Sequence, residues 1–350
     1  MRSFAAPVRT QSMPEVVLLI NAALPLGVVF CRWAFQPEIA DAGIFAKISG
    51  ARVVKYRIHF ISIVMTQIKT VQCLSPAGLH QMAYKEWGDP ANAKVLICVH
   101  GLTRVSDDFD ALAQALSRDY RVICPDVVGR GRSGHLRDPQ YYQVPQYVSD
   151  MVMLIARLEV ESVHWFGTSM GGVIGMALAS LPDTPIRKLL LNDIGPTIDA
   201  EALARIGEYV GQDLRFASFD EAWQYVRAIS LSFGAHSDEQ WRKLAADVMR
   251  QNEQGQWVFV YDPGLAMPFR QATAESARLD EQRLWTAYDA ITCPVLLVRG
   301  ADSDLLSPET AQAMSQRGPK ARVVELAGVG HAPTFLSEAQ IAIAKGFFLG

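Results

Sequence analysis

One stretch constrains this chain more than any other: Ser162 to Ala179, S-V-H-W-F-G-T-S-M-G-G-V-I-G-M-A-L-A. It opens with an apolar run, Val163 to Phe166, that reads as a buried strand. Gly167-Thr168-Ser169-Met170-Gly171 comes next, and then Val173, Ile174, Met176, Ala177 and Leu178 recur as they would on a buried helix. A strand that breaks into a helix across G-x-S-x-G lifts its serine above the edge of a sheet. The requirement is steric. The serine must take a strained backbone conformation, and side chains at Gly167 or Gly171 would strike the neighbouring strand and helix. The helix start also aims its amides and the positive end of its dipole at the space above Ser169. A Gly-rich turn before a core helix would give the same five letters, so the motif draws its weight from the rest of the chain.

The flanking chain alternates strand and helix. Ile68 to Leu74 and Leu79 to Trp87 read as a hairpin around Pro76-Ala77-Gly78. Lys94 to Val99 and Tyr120 to Cys124 are continuous apolar runs, as expected of strands covered on both faces. Asp108 to Leu116 and Tyr147 to Leu158 have helical periodicity, and Ile186 to Leu191 is another strand. After about Gly195 the alternation stops. Ala200 to Val210, Phe219 to Leu231 and Asp238 to Met249 read as helices, with one short strand in Gln256 to Tyr261. It resumes with strands at Pro294 to Arg299 and Ala321 to Leu326 and helices at Pro308 to Ser315 and Glu338 to Phe348. The class is therefore α/β: a mostly parallel central sheet with helices on both faces. The domain reading is a core of residues 66–194 and 286–350, with a helical cap, 195–285, inserted over the C-terminal strand ends where such sheets bind ligands. Most of the cap's aromatic residues are expected to pack its own interior.

Composition excludes several classes. A net charge of −3 with 20% charged residues offers no footprint for nucleic acid. The five cysteines are odd in number and widely spaced; Cys98 and Cys124 sit in apolar runs and read as small core residues, not as a disulfide framework or a metal site. A cytoplasmic, reducing location is the simpler assumption. Residues 1–65 differ from the rest and read as an extension with little fixed structure. Val16 to Cys31 holds Asn21 and Pro25 and falls short of the ~20 residues of a spanning helix, so membrane association or export through this segment is the second reading.

A serine hydroxyl needs a base to become a nucleophile. Of seven histidines, His331 stands out in Gly328-Val329-Gly330-His331-Ala332-Pro333, a loop after the last strand and on the same sheet edge as Ser169. The base in turn needs a carboxylate to fix its tautomer. Asp304 is the first choice, four residues before the helix-starting Pro308, with Asp302 and Asp193 as alternatives after the same and an earlier strand. Val99-His100-Gly101-Leu102-Thr103 turns away after a central strand, so the amides of Leu102 and Met170 would hold an oxyanion. His100 reads as structural within that turn.

Five stretches in this order, V-H-G-L-T, P-D-V-V-G-R-G-R-S, G-T-S-M-G-G, R-G-A-D-S-D-L-L-S-P and G-V-G-H-A-P, resemble the α/β-hydrolase superfamily from about Lys69 to Gly350. The nearest resemblance is to bacterial capped esterases, C–C bond hydrolases, enol-lactonases and cofactor-free haloperoxidases. It implies Ser169 as nucleophile, His331 as base, an acid at Asp304, and a small acyl or ester substrate with no cofactor and no metal. The turn H-G-L-T lacks the longer Gly-rich oxyanion turn usual in C–C hydrolases. Dehalogenases and epoxide hydrolases carry Asp where this chain has Ser169. The expected activity is ester hydrolysis through an acyl-enzyme. C–C hydrolysis or enol-lactone hydrolysis stands as the alternative, and an acyltransferase or a non-catalytic receptor as readings of another class.

Overall fold

The computed structural model describes residues 66–350. The extension assigned to 1–65, with its readings as anchor or export signal, lies outside the described residues. Strands β1 (Gln67–Ser75) and β2 (Gly78–Trp87) form the expected hairpin. Next along the chain are β3 (Val95–Val99), α1 (Asp110–Leu116), β4 (Arg121–Pro125), α2 (Val144–Leu158), β5 (Val163–Thr168), α3 (Met170–Ala179) and β6 (Ile186–Asn192). The insertion carries α4 (Ala200–Tyr209), α5 (Phe219–Ile229), α6 (Asp238–Val248), a ribbon of β7 (Met249–Gln251) and β8 (Trp257–Phe259), and α7 (Met267–Gln271). The chain closes with α8 (Ala274–Ala290), β9 (Val295–Gly300), α9 (Pro308–Gln316), β10 (Arg322–Leu326) and α10 (Glu338–Phe348).

Eight strands make one sheet in the order β1-β2-β4-β3-β5-β6-β9-β10. The first two are antiparallel, and every pair from β4 to β10 is parallel. The apolar runs have a direct cause. On β3, Val95, Ile97 and Val99 join the core layer on one face, while Leu96 and Cys98 join the layer on the other. A strand sandwiched this way has no wet side, so every position is apolar. Cys98 and Cys124 are buried in the second layer, as expected of small core residues.

The insertion has its own apolar centre. Trp223 of α5 packs with Trp241 and Leu244 of α6, and Trp257 lies against them. It is stitched to the core where Gly131 N donates to Val260 O (2.8 Å) and Asp262 N to Gly129 O (2.8 Å). Three elements escaped the sequence reading, β7, α7 and α8. Helix α8 buries only Tyr288, so it has almost no apolar periodicity to read. It starts at a capping box on Thr273 and lies against α3. The boundary drawn at residue 285 therefore falls inside a helix of the core layer. Among the described residues, no helix is long and apolar enough to cross a membrane.

Candidate active site

Ser169 sits between the end of β5 and the start of α3 with φ +50° and ψ −117°, a conformation that a residue with a side chain adopts only under strain. The two glycines make it possible. A Cβ on Gly167 would lie 2.3 Å from Gly171 O, and one on Gly171 would lie 2.1 Å from Val99 O, both rigid backbone. The turn is thus pressed against α3 on one side and β3 on the other, as the motif predicts.

His331, in the loop after β10, has its Nε2 2.9 Å from Ser169 Oγ. Its Nδ1 lies 2.7 Å from Asp193 Oδ2. Asp193 directly follows β6 and is fully buried. Its φ of +54° turns the residue out of the strand while its amide still donates to Val298 O of β9 (2.7 Å). Gly300 N donates to Asp193 Oδ1 (2.8 Å), and Ser303 Oγ donates to Asp193 Oδ2 (2.6 Å). An ionised carboxylate is acceptor-only, so these donors fit its charged form.

The aspartate ranked first from the sequence is elsewhere. Asp304 is exposed and pairs with Arg205 of the insertion at 2.5 Å. Asp302 is exposed as well. The reason lies in the β9 loop, where R-G-A-D-S-D turns so that Gly300 N and Ser303 Oγ reach inward, while both its aspartates face solvent. That loop supplies the donors and β6 supplies the carboxylate. The structure brings together Ser169, His331 and Asp193, and leaves Asp304 and Asp302 outside.

The turn expected to offer an oxyanion-binding amide comes after β3. Among the described residues, neither Leu102 N nor Met170 N donates to a protein acceptor. His100 is a spacer beneath this turn. Its Nδ1 pairs with Gly101 O (2.7 Å) and its Nε2 accepts from Val127 N (2.9 Å), which requires the neutral Nδ1–H tautomer. Burial pushes its pKa down to about 4, in keeping with a structural role.

Several residues at this edge escaped the sequence reading. Arg130, in P-D-V-V-G-R-G-R-S, is completely buried. It donates to Leu102 O (2.8 Å), Val128 O (2.7 Å) and Tyr147 Oη (3.1 Å), and its Nη2 lies 3.3 Å from Met170 Sδ. One side chain thus touches both Leu102, in the turn after β3, and Met170, at the start of α3. Asn192 Nδ2 donates to Thr168 Oγ1 (3.0 Å) and Pro333 O (2.8 Å), tying the histidine loop to the serine strand. From the insertion, Ser232 Oγ donates to His331 O (2.6 Å), and Gly330 N donates to Ser232 O (2.6 Å). Arg130 lies within P-D-V-V-G-R-G-R-S; the others carry no local pattern.

Away from this edge, Cys73, His80 and Asp150 bring ligand-type atoms within 4.8 Å of one another between the hairpin and α2. Burial and the Asp150 carboxylate push the Cys73 thiol up to about 12, so it keeps its proton. His80 Nε2 lies 3.0 Å from Asp150 Oδ2, and the pair ties β2 to α2.

Fold and motif order together define the class. The family model for the alpha/beta hydrolase fold matches residues 94–337, and the chain belongs to that family. It is a hydrolase by that membership and by its relatives. A 3-hydroxybutyrate-oligomer hydrolase of Cupriavidus necator is 59% identical over 283 residues, covering 80% of this chain and 97% of that protein. The esterase YbfF of Escherichia coli is 28% identical over 251 residues, covering 69% and 87%. Among solved structures, an alpha/beta hydrolase from Novosphingobium aromaticivorans superposes with a TM-score of 0.72 at 34% identity, covering 81% of this chain and 99% of that one.

Proposed function

We propose that this chain is a serine hydrolase that cleaves ester bonds in short oligomers of 3-hydroxybutyrate. The observation that carries the mechanism is the line Ser169 Oγ–His331–Asp193, at 2.9 Å and 2.7 Å. What points to the substrate is the 59% identity with the Cupriavidus necator hydrolase over nearly all of that protein.

His331 Nε2 takes the proton from Ser169 as the hydroxyl attacks the ester carbonyl. Asp193, paired with Nδ1, holds the ring in the productive tautomer and offsets the charge of the imidazolium. The amides of Leu102 and Met170 receive the oxyanion. The tetrahedral intermediate collapses, and His331 protonates the departing alcohol, itself a 3-hydroxy acid. Water then enters, loses its proton to His331 and releases the 3-hydroxyacyl group from Ser169. Arg130 supports the oxyanion turn through the Leu102 carbonyl, so it acts as a positioning residue.

The test is direct. The purified protein, given the 3-hydroxybutyrate dimer and trimer, releases the monomer. Ser169→Ala folds normally and loses turnover by several orders of magnitude, on the order of 10⁶ where serine and histidine act as a unit. Wild-type protein inert toward both oligomers, or an active Ser169→Ala, contradicts the reading.

A further inference from the structure

Arg104 comes directly after the oxyanion turn, in H-G-L-T-R. Its stem and the nucleophile are both neighbours of Gly101: a methyl placed there would lie 3.7 Å from Ser169 Cβ and 3.8 Å from Arg104 Cγ. Its guanidinium is held on one edge only. Nε donates to Asp108 Oδ2 (2.8 Å), and Nη2 donates to Asp108 Oδ1 (2.6 Å) and to Leu244 O of α6 (3.0 Å). Nη1 donates to no acceptor among the described residues. The group stands 5.9 Å from the ring of Phe233, next to the Ser232 that is bonded to the His331 loop. It is therefore fixed between the oxyanion turn and the insertion, with one pair of N–H donors uncommitted.

Oligomer hydrolysis gives that free edge a chemical meaning, and the role assigned to Arg104 rests on that proposed activity. A 3-hydroxybutyrate oligomer ends in a carboxylate. In its last unit, three bonds separate the esterified oxygen from the carboxylate carbon. A carboxylate bound beside the oxyanion turn would therefore leave the terminal ester within reach of Ser169. We infer that Arg104 is a specificity-determining residue of this site: it takes the carboxylate at the acid end of a short hydroxyacid oligomer and sets the terminal ester over Ser169.

The surroundings fit an anion. Tyr209 of α4 keeps its phenolic proton, because burial raises its pKa against the opposing pull of Arg205 and Arg104. Its hydroxyl thus lies in the field of two guanidinium groups. The nearby negative charges are Asp108, already engaged, and Asp247, which burial raises to about 6 and which Lys243 partners at 2.7 Å. Asp108 weakens the attraction for a second carboxylate but fixes the guanidinium plane, so the gain is moderate and directional.

The experiment compares the 3-hydroxybutyrate dimer as free acid with its methyl ester, under the same buffer and salt. Wild type favours the acid in kcat/KM by about tenfold or more. In Arg104→Gln the acid-to-ester ratio falls by about tenfold or more, to near one, chiefly through KM, as expected for one charge-assisted contact. Arg104→Lys keeps part of the preference. Equal losses on both substrates would mean that Arg104 only braces the turn against α6, and would overturn the inference. Should Arg104→Gln fail to fold, wild type decides the matter: a ratio at or below one, or equal inhibition by butyrate and butyramide, contradicts it. Wild type that cleaves p-nitrophenyl butyrate but neither form of the dimer would instead refute the oligomer reading itself, and this inference with it.

Discussion

Asp193 and Asp304 stand after neighbouring parallel strands, β6 and β9, on the same edge of the same sheet. Asp193 is buried, accepts from a backbone amide, a serine hydroxyl and the His331 ring, and cannot leave without stranding three donors. Asp304, one residue beyond that serine, is exposed and, among the described residues, pairs only with Arg205. An exposed ion pair of that kind contributes little. The backbone makes the difference. Asp193 turns at φ +54° while its amide continues the ladder to β9, which draws its carboxylate under the neighbouring loop. Strand position alone offers an acid at either place. Which one meets the histidine depends on how the loop after β10 lies across both.

Ser303 belongs to the Asp304 loop but serves Asp193. Ser303→Ala removes a donor from the same oxygen that accepts from His331 Nδ1. It lowers kcat by about tenfold with KM nearly unchanged, the loss expected of one hydrogen bond to a charged group. Steady-state kinetics with thermal melts checks this, and an unchanged kcat would mean that Asp193 needs no support from β9.

A smaller effect concerns the fold around the site. His100 and His164 have folded pKa values of about 4, both lowered chiefly by burial. The unfolded chain titrates near 6.5, so it takes up these protons first as pH falls. Their contribution is complete above about pH 6.5 and is lost progressively toward pH 4. Asp247, raised to about 6, opposes them, because its burial costs least when it is protonated. Two histidines outweigh one carboxyl. The melting temperature therefore drops by a few degrees between pH 7 and pH 5, and a flat or rising profile would contradict the neutral state of buried His100 and half-buried His164.

Much of this was legible in the sequence. The G-x-S-x-G turn is a local steric device, and its glycines meet backbone where expected. Strands β3, β4 and β9 announce themselves because both faces are covered. His331 could be found because its Gly-rich loop comes after the last strand. Asp193 could only be ranked third, because N-D-I-G carries no turn signal and its role depends on β9 and β10 arriving beside it. Helix α8 was hidden for the opposite reason: its exposed face is long, and only Tyr288 is buried. Arg104 and Arg130 sat in quoted or adjoining motifs, but their contacts span tens of residues of chain and have no local pattern.

Asp193, not Asp304, partners His331. Asp193→Asn and Asp304→Asn, assayed side by side on the 3-hydroxybutyrate dimer with melts of each, test that choice most directly. An amide at residue 193 can donate to Nδ1 and hold the imidazole in the wrong tautomer, so kcat falls by up to ~10⁴ while the fold persists. At residue 304 the change removes half of a surface ion pair, and kcat stays within about twofold. A crippled Asp304→Asn beside an active Asp193→Asn would contradict the claim.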